Sequence, residues 1–361
     1  MGEPQYERLE LRFECLESIP GGLNEVRLWW DDQLACKRVG KRYDTSCLDD
    51  VLPEPAALEM LKHDNIVPVI AAAEINDTRL YPPPMRVVEL VTPYFPRGSI
   101  TDALLRGEQF IPTESIVICQ AILQGLAFLH DVHNVAHRDI KSGNILLCEP
   151  NDAAKAKVCD LGLAGIFDES GLVPALNNPT LYSPPEFKNG ANLQRTSDLY
   201  PVGLVLIELL TGAFPYEEYS TSSIIERLGA GQHAVRDVHR APPVWAHSTL
   251  RRFLAKALQK DPTRRFQSAR EMSNSLAKVK AIDWTMSDPF TWEASYPFNP
   301  SRSIRISAPK NGDGTHTLST QINSGKGWRR AKNTPDVTVS DLHSPAARSA
   351  FGRATDIATI G

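Results

Sequence analysis

The sequence predicts an α+β protein with a small β-rich lobe, a large helical lobe and a small β-rich C-terminal appendage. Short strand-like stretches separated by turns occupy most of the first 95 residues. Apolar residues then recur mostly at spacings of three and four across 112–134, which predicts a buried helix. Near the C-terminus, Asn311-Gly-Asp-Gly lies between two strand-like stretches and predicts a hairpin. The small lobe spans about 9–95, the large lobe about 96–280, and the appendage 281–361.

Composition and charge narrow the class of protein. At 361 residues and 42% hydrophobic composition, the chain can bury one or two sizeable cores. Its net charge of −4 gives no overall indication of nucleic-acid binding. Six scattered cysteines form no CxxC pair, so we expect neither a zinc site nor a disulfide framework, and a cytoplasmic location fits best. The N-terminus lacks the apolar core of a signal peptide, and no uninterrupted apolar run could span a bilayer, so membrane insertion is not expected.

Residues 137–144, His-Arg-Asp-Ile-Lys-Ser-Gly-Asn, carry the strongest chemical signal, and Asp-Leu-Gly follows at 160–162. Asp139 can accept or orient a hydroxyl proton, and Lys141 can lie against a transferring phosphate. Asn144 and Asp160 offer oxygen ligands for a metal ion that bridges phosphates. Each residue alone could be a solvated loop charge. Four of them in register predict a phosphoryl-transfer site.

These motifs resemble those of the eukaryotic-type protein kinases over about residues 9–280. The resemblance implies the bilobal protein kinase fold, with ATP and Mg²⁺ as cofactors and a protein as substrate. Asp139 would be the catalytic base, Lys141 would steady the γ-phosphate, and Asn144 and Asp160 would hold magnesium. Lysine two residues past the base is typical of serine/threonine transfer rather than tyrosine transfer. The end of the domain resembles bacterial serine/threonine kinases, whereas other stretches resemble the tyrosine-kinase-like group.

The resemblance also assigns a phosphate-binding pair in the small lobe. Lys37, in the stretch Leu34-Ala-Cys-Lys-Arg-Val39, would reach the α- and β-phosphates of ATP. Glu54, at the start of a proline-flanked helix, would orient that lysine, with Glu59 as the alternative. Arg38 is a poor rival for Lys37, because neighbouring strand residues point to opposite faces.

Further residues are expected to line the nucleotide. The Pro93 carbonyl and the Phe95 N–H would form hydrogen bonds with the adenine edge. Thr92 would be the gatekeeper residue, which controls access to the pocket behind the adenine. The stretch that resembles the glycine-rich loop keeps only one of three glycine positions, since Ile19 and Asn24 occupy the other two. The remaining nucleotide-lining residues are Gly21, Val26, Ala35 and Leu146.

In the large lobe the resemblance implies a structural frame for the catalytic loop. Asp198, at the start of an apolar helix, would brace the loop, because a buried carboxylate without partners is costly. Glu186, in Ser183-Pro-Pro-Glu186, would pair with Arg265.

Arg138 is typical of kinases that bind an anion on the segment from 160 to 186. The candidate anions are phosphorylated Ser170 or Thr180, or the built-in charges of Asp168 and Glu169. Thr180 also resembles a threonine that bonds Asp139 and Lys141 in serine/threonine kinases.

The appendage is basic, since residues 300–361 hold nine Lys or Arg against four Asp. It either packs on the kinase domain or forms a docking surface for an acidic partner, and single-stranded nucleic acid is the less favoured partner. For the whole chain, the leading interpretation is an ATP-dependent serine/threonine protein kinase. The alternatives are a kinase-like scaffold with little turnover, favoured by the degenerate glycine loop, and a small-molecule phosphotransferase.

Overall fold

The computed structural model describes residues 12–19, 25–44, 58–176, 178–187 and 191–360. Its small lobe is a five-stranded antiparallel sheet with the order β1-β2-β3-β5-β4, which confirms the β-rich N-terminal lobe. The strands are β1 (Phe13–Ile19), β2 (Val26–Asp31), β3 (Cys36–Asp44), β4 (Ala71–Glu74) and β5 (Val87–Pro93).

Strand β3 determines which side chains of the small lobe face the large lobe. Successive strand residues point to opposite faces. Arg42 lies on the outer face, where its Nε donates to Glu89 Oε2 at 2.8 Å. Lys41 and Tyr43 lie on the inner face, where both contact Asp160 of the large lobe. The alternation of this strand therefore directs Lys41 and Tyr43 into the cleft between the lobes.

The large lobe is built around two buried helices. The helix predicted over 112–134 is present as α2, and its apolar residues pack against α3 in one continuous core. By length and composition α2 could also span a membrane, but here Ile122, Leu126 and Leu129 are almost wholly buried in that core. The helices are α1 (Ile100–Leu105), α2 (Pro112–Val132), α3 (Arg195–Thr211), α4 (Thr221–Gly229), α5 (Ser248–Ala257) and α6 (Ala269–Leu276).

Short strands carry the catalytic segments of the large lobe. In the β7–β8 hairpin, Ile145 pairs with Val158, so Asn144 and Asp160 lie just beyond the same end of the hairpin. The short strands of this lobe are β6 (Val135–Ala136), β7 (Ile145–Leu147), β8 (Ala156–Val158), β9 (Gly165–Ile166), β10 (Val173–Pro174) and β11 (Asn192–Leu193). One short hairpin thereby brings Asn144 and Asp160 to one edge of the cleft.

The appendage is an antiparallel sheet backed by a helix, with its own core. The hairpin predicted around Asn311 is confirmed, since Ser307 pairs with Ser319 across it. A helix begins at Pro345, and its Phe351 contacts Trp284 and Trp292 edge-on. The elements are β12 (Thr285–Asp288), β13 (Thr291–Tyr296), β14 (Asn299–Ser307), β15 (His316–Asn323), β16 (Trp328–Arg330), β17 (Val337–Val339) and α7 (Pro345–Ile360).

The appendage packs on the large lobe through specific polar contacts. Asp283 accepts hydrogen bonds from Thr113 N at 2.9 Å and from Thr113 Oγ1 at 2.8 Å. A carboxylate at the first turn of α2 satisfies backbone N–H groups that the helix leaves unpaired and suits the positive end of the helix dipole. Lys280 Nζ also donates to Asp356 Oδ1 of α7 at 2.5 Å. The contact of Asp283 with Thr113 joins the appendage to the same helix that carries the core of the large lobe.

Candidate active site

The side chains of Asp139, Lys141 and Asn144 converge as the sequence predicts. Lys141 Nζ donates to Asp139 Oδ2 at 2.7 Å, and Asn144 Nδ2 donates to the same oxygen at 2.9 Å. Asn144 Nδ2 also reaches the backbone carbonyl of Asp139 at 2.8 Å. Because both side-chain donors converge on Oδ2, Oδ1 of Asp139 is the oxygen that can accept a proton from an incoming hydroxyl.

Asp198 braces this loop, as predicted. Its Oδ2 accepts from His137 N and its Oδ1 from Arg138 N, both at 2.8 Å, and His130 Nε2 lies 2.9 Å from Oδ2. Burial alone would raise the pKa of Asp198, but the bonds from His130 and His137 lower it, and the net shift is downward. The carboxylate therefore stays ionised and fixes two successive backbone N–H groups of the catalytic loop.

Asp160 is held in a left-handed backbone conformation, with φ of 62°, which few residues other than glycine adopt. Its Oδ1 lies 2.6 Å from Lys41 Nζ and accepts a hydrogen bond from Tyr43 Oη at 3.3 Å. Burial acts to raise the pKa of Asp160, yet the charge and hydrogen bond of Lys41 outweigh it and lower the pKa. The residue is therefore an anion that a cation of the small lobe contacts directly.

The prediction that Lys37 is the lysine of this site is wrong. Lys37 is exposed, it pairs with Trp30 near the β2–β3 turn, and its Nζ lies 5.2 Å from the centre of the Tyr94 ring. Lys41 pairs instead with Val26, at the start of β2. Lys41 lies four residue steps after Lys37, which is about 13 Å along the strand. Both lysines therefore lie on one face of β3, but only Lys41 reaches Asp160.

The role given to Ala35 is wrong for the same reason. Ala35 is exposed and lies in the turn before β3, with φ of 48°, rather than on the strand that faces the cleft. On β3 the residue two positions before Lys41 is Val39, which pairs with Thr92 and whose carbonyl oxygen accepts from Thr92 Oγ1 at 3.4 Å. Val39 is therefore the strand residue beside Thr92.

The other nucleotide-lining roles stay predictions, and the structure shows only where some of these residues lie. Gly21 and Glu54 lie outside the described residues, so their placement stays a prediction. Val26 opens β2, and Pro93 ends β5. Phe95 follows in the segment that joins the lobes, which is tied to β7 by the Leu147 N–Gly98 O hydrogen bond of 2.9 Å and the bridge between Ser99 and Leu146. Leu146 is thus near the connecting segment, and its contact with a nucleotide stays a prediction.

The donor set at this edge of the cleft fits magnesium. Asn144 turns its amide nitrogen to Asp139, which leaves its amide oxygen on the other side, and Asp160 supplies a carboxylate. These are the hard oxygen donors that Mg²⁺ prefers. In the part of the chain that the structure describes, no group of three or more His, Cys, Asp and Glu could hold a metal ion. Mg²⁺ usually takes its remaining ligands from phosphates and water, so two oxygen donors from the protein are enough to contribute to such a site.

The predicted pair of Glu186 and Arg265 is confirmed, and its guanidinium is buried. Arg265 donates to the two carboxylate oxygens of Glu186 at 2.7 and 2.6 Å. The bidentate geometry and the burial of the guanidinium make this a strong, oriented pair. It fixes the segment that follows Thr180 beside the catalytic loop.

Glu208 is a site residue that the sequence interpretation missed. It is fully buried in α3, where its carboxylate accepts from Ser142 Oγ and Tyr182 Oη, and from Tyr216 Oη at 2.6 Å. The signal for it is one acidic residue inside the apolar run of α3. Glu208 links the catalytic loop to the segment that carries Tyr182.

The side chain of Arg138 holds the segment that starts at Asp160, because it donates hydrogen bonds to backbone carbonyls of that segment. Its Nε, Nη1 and Nη2 donate to the carbonyls of Leu163, Pro174 and Ala164 at 2.6, 3.0 and 3.0 Å. Thr180 Oγ1 accepts from Tyr182 N at 3.2 Å, and among the described residues no hydrogen bond joins Thr180 to Asp139 or Lys141. The use of phosphorylated Ser170 or Thr180 as an anion for Arg138 stays a prediction.

Comparison with known proteins places this geometry in a family. Residues 24–276 match the model of the protein kinase domain. A probable serine/threonine-protein kinase of Dictyostelium discoideum is 30% identical over 237 residues, which cover 64% of this chain and 43% of the relative. Mitogen-activated protein kinase kinase 1 of Arabidopsis thaliana is 30% identical over 196 residues, 52% of each chain. A serine/threonine-protein kinase of Arabidopsis thaliana is 28% identical over 301 residues, 76% of this chain and 50% of the relative. The chain thus spans about half or less of the length of these relatives.

Proposed function

Because the chain belongs to the protein kinase family, we propose that it is an ATP-dependent serine/threonine protein kinase. The observation that carries the proposal is the convergence of Asp139, Lys141 and Asn144 on one side of the cleft with Asp160 and Lys41 on the other. The relatives named serine/threonine-protein kinases support the same acceptor class. The intact charged set favours turnover over the scaffold interpretation.

Each residue of the site would have its own role in phosphoryl transfer, set by its position. A protein hydroxyl would approach Oδ1 of Asp139, which accepts the hydroxyl proton as the new oxygen–phosphorus bond forms. The bond from the γ-phosphorus to its bridging oxygen breaks, and ADP leaves. Lys141 lies beside Asp139 and can neutralise charge on the transferring group. Lys41 would leave Asp160 to bind the α- and β-phosphates.

We further propose that Asn144 and Asp160 hold Mg²⁺ bound to the nucleotide. The ion would neutralise phosphate charge when it is bound. The protein's part is to keep these two side chains fixed at the open end of the β7–β8 hairpin. Pre-positioning of this kind supplies much of the rate in phosphoryl transfer.

The test is transfer of labelled γ-phosphate by the purified chain of residues 1–361. We expect phosphate on serine or threonine of a generic acceptor such as myelin basic protein, in the presence of ATP and Mg²⁺. The acid stability of the product and phosphoamino-acid analysis identify the acceptor. Intact binding of ADP and Mg²⁺ without any transfer, to itself or to the acceptor, would instead support the scaffold interpretation.

We also propose that the appendage docks an acidic protein segment. Antiparallel pairing brings the hairpin tips of β13–β14 and β15–β16 to one end of the sheet. That end, here called the basic end, combines the aromatic Phe298, which is 81% exposed, with cationic side chains. Its cations are Arg302, Lys326, Arg329 and Arg330. The only acid that pairs with them among the described residues is Asp336, 3.0 Å from Arg330. This charge excess complements an acidic partner.

The double variant Lys326→Glu/Arg329→Glu tests the basic end. We expect binding of a fluorescein-labelled poly-glutamate peptide, followed by anisotropy, to weaken about 5- to 10-fold, because exposed ion pairs each contribute little. Lys310→Glu makes the same kind of charge change at the opposite end of the sheet and should leave binding unchanged. Binding of oligothymidylate but not of the peptide would overturn the acidic-protein proposal in favour of nucleic acid, and binding of neither would overturn docking.

A further inference from the structure

Tyr43 lies at the junction of the two lobes, and nothing in the phosphoryl-transfer motifs accounts for it. It follows Lys41 by two residues on β3, so both side chains face the cleft. Tyr43 is 7% exposed, and its hydroxyl donates to Asp160 Oδ1 at 3.3 Å. Lys41 Nζ lies 5.2 Å from the centre of its ring. One phenol therefore contacts both members of the Lys41–Asp160 pair.

The ring of Tyr43 also fixes the backbone that follows Asp160. A β-carbon added to Gly162 would lie 2.5 Å from Tyr43 Cε1, which is closer than real contacts allow. The ring is therefore seated against the glycine of the Asp160-Leu-Gly162 motif. Any rotation of this motif has to move the tyrosine as well.

We propose that Tyr43 is a positioning residue that orients the Asp160 carboxylate for Mg²⁺. The inference rests on the proposed function. In the structure, Oδ1 of Asp160 is shared between Lys41 and Tyr43, and the tyrosine bond is long for an O–H···O hydrogen bond. When nucleotide phosphates draw Lys41 away, the phenol remains as the donor to Oδ1. The carboxylate then keeps one orientation and presents Oδ2 to the metal.

Packing alone gives a different expectation for the same residue. Tyr43 belongs to the large hydrophobic core, so its ring contributes to stability whatever the hydroxyl does. Tyr43→Phe keeps the ring and removes only the hydroxyl. If the residue acts by packing alone, this variant should bind metal and nucleotide as the wild-type chain does. Removal of a group that orients a metal ligand commonly lowers the affinity for the metal by about 10- to 100-fold.

The experiment is calorimetric titration of ADP into the purified chain of residues 1–361 at a series of Mg²⁺ concentrations. For Tyr43→Phe we expect the apparent affinity for Mg²⁺ to fall about tenfold, at the low end of the range for such groups because the bond is long. Affinity for metal-free ADP should stay within about twofold, since the phenol contacts the carboxylate rather than the nucleotide. Thermal unfolding checks that the variant is folded.

Tyr81→Phe is the matched control. Its hydroxyl donates to Glu25 Oε2 at 2.7 Å and accepts from Arg42 at 3.1 Å, on the outer face of the small-lobe sheet. This variant also removes a phenol hydroxyl that is bonded to a carboxylate, but that carboxylate belongs to Glu25 and not to Asp160. It should therefore leave the Mg²⁺ dependence of ADP binding unchanged.

Three results would overturn the proposal. These are wild-type Mg²⁺ dependence in Tyr43→Phe, tighter Mg²⁺ binding by that variant, and the absence of Mg²⁺-dependent ADP binding by the wild-type chain. Tighter binding would show that the phenol holds a metal-free arrangement instead. The proposed kinase activity is tested separately. A wild-type chain that binds Mg²⁺ and ADP but transfers no phosphate refutes that activity. The effect of Tyr43→Phe on metal affinity can still be measured in that case.

Discussion

Asp139→Asn should lower kcat for phosphoryl transfer by about 10³-fold, within the range expected for loss of a positioned base. Asparagine keeps the shape of the side chain but cannot take the hydroxyl proton at neutral pH. KM for ATP should change little, because the described contacts of Asp139 are with Lys141 and Asn144 of its own loop. Steady-state kinetics with a purified protein acceptor give both constants.

Folding of this variant needs its own measurement, since Asp139 is 8% exposed and accepts from two side chains. The introduced asparagine would retain an oxygen acceptor for Lys141, so we expect thermal unfolding close to that of the wild-type chain. Asp32→Asn, on the exposed β2–β3 turn, is the matched control and should keep full activity. A decrease in kcat of less than tenfold for Asp139→Asn would remove Asp139 from the role of base.

The catalytic loop could be predicted because its geometry is local. Asn144 precedes β7 and Asp160 follows β8, and a single short hairpin brings them together. Asp139, Lys141 and Asn144 lie within six residues, so their mutual contacts depend on one loop conformation. Spacing in the sequence therefore carries nearly all the information needed there.

The lysine that contacts Asp160 could not be identified in this way. A strand repeats every two residues, so Lys37 and Lys41 are equivalent by pattern, and only the pairing register separates them. The register depends on the turn, which Asp31 caps by accepting from Gln33 N and Leu34 N at 3.2 and 3.1 Å. Ala35 ends this turn in the left-handed region, which alanine seldom adopts, so its residue type gives no warning. Because the turn occupies 32–35, β3 begins at Cys36, and the pairing register brings Lys41 rather than Lys37 to Asp160.

Tyr43 and Glu208 were unpredictable for another reason. Each acts across the fold: Tyr43 contacts Asp160, and Glu208 of α3 contacts Tyr182. Such contacts depend on how the lobes and helices pack, and one sequence carries no record of that packing. An aromatic residue in a strand is most simply a core residue, and only the distance to Asp160 gives Tyr43 a second role.

Lys41→Met should reduce kcat/KM for ATP by about 10²- to 10³-fold, whereas Lys37→Met should stay within about twofold of the wild-type chain. Lys41 is the cation that contacts Asp160, at 2.6 Å, and is therefore the one placed to bind the phosphates that Asp160 and its metal would also hold. Methionine preserves most of the side-chain length and its packing but removes the charge. Among the described residues, the Lys37 side chain makes a cation–π contact with the Tyr94 ring, which is worth about 0.5–1 kcal/mol at an exposed site.

The pair of variants is its own control, because the same chemical change is made at two positions on one face of one strand. Nucleotide affinity, measured by ADP titration with Mg²⁺, should fall for Lys41→Met only. Equal losses in both variants would indicate a general effect of lowered charge on the small lobe. Loss of activity in Lys37→Met alone would show that Lys37, as the sequence predicts, and not Lys41 binds the phosphates.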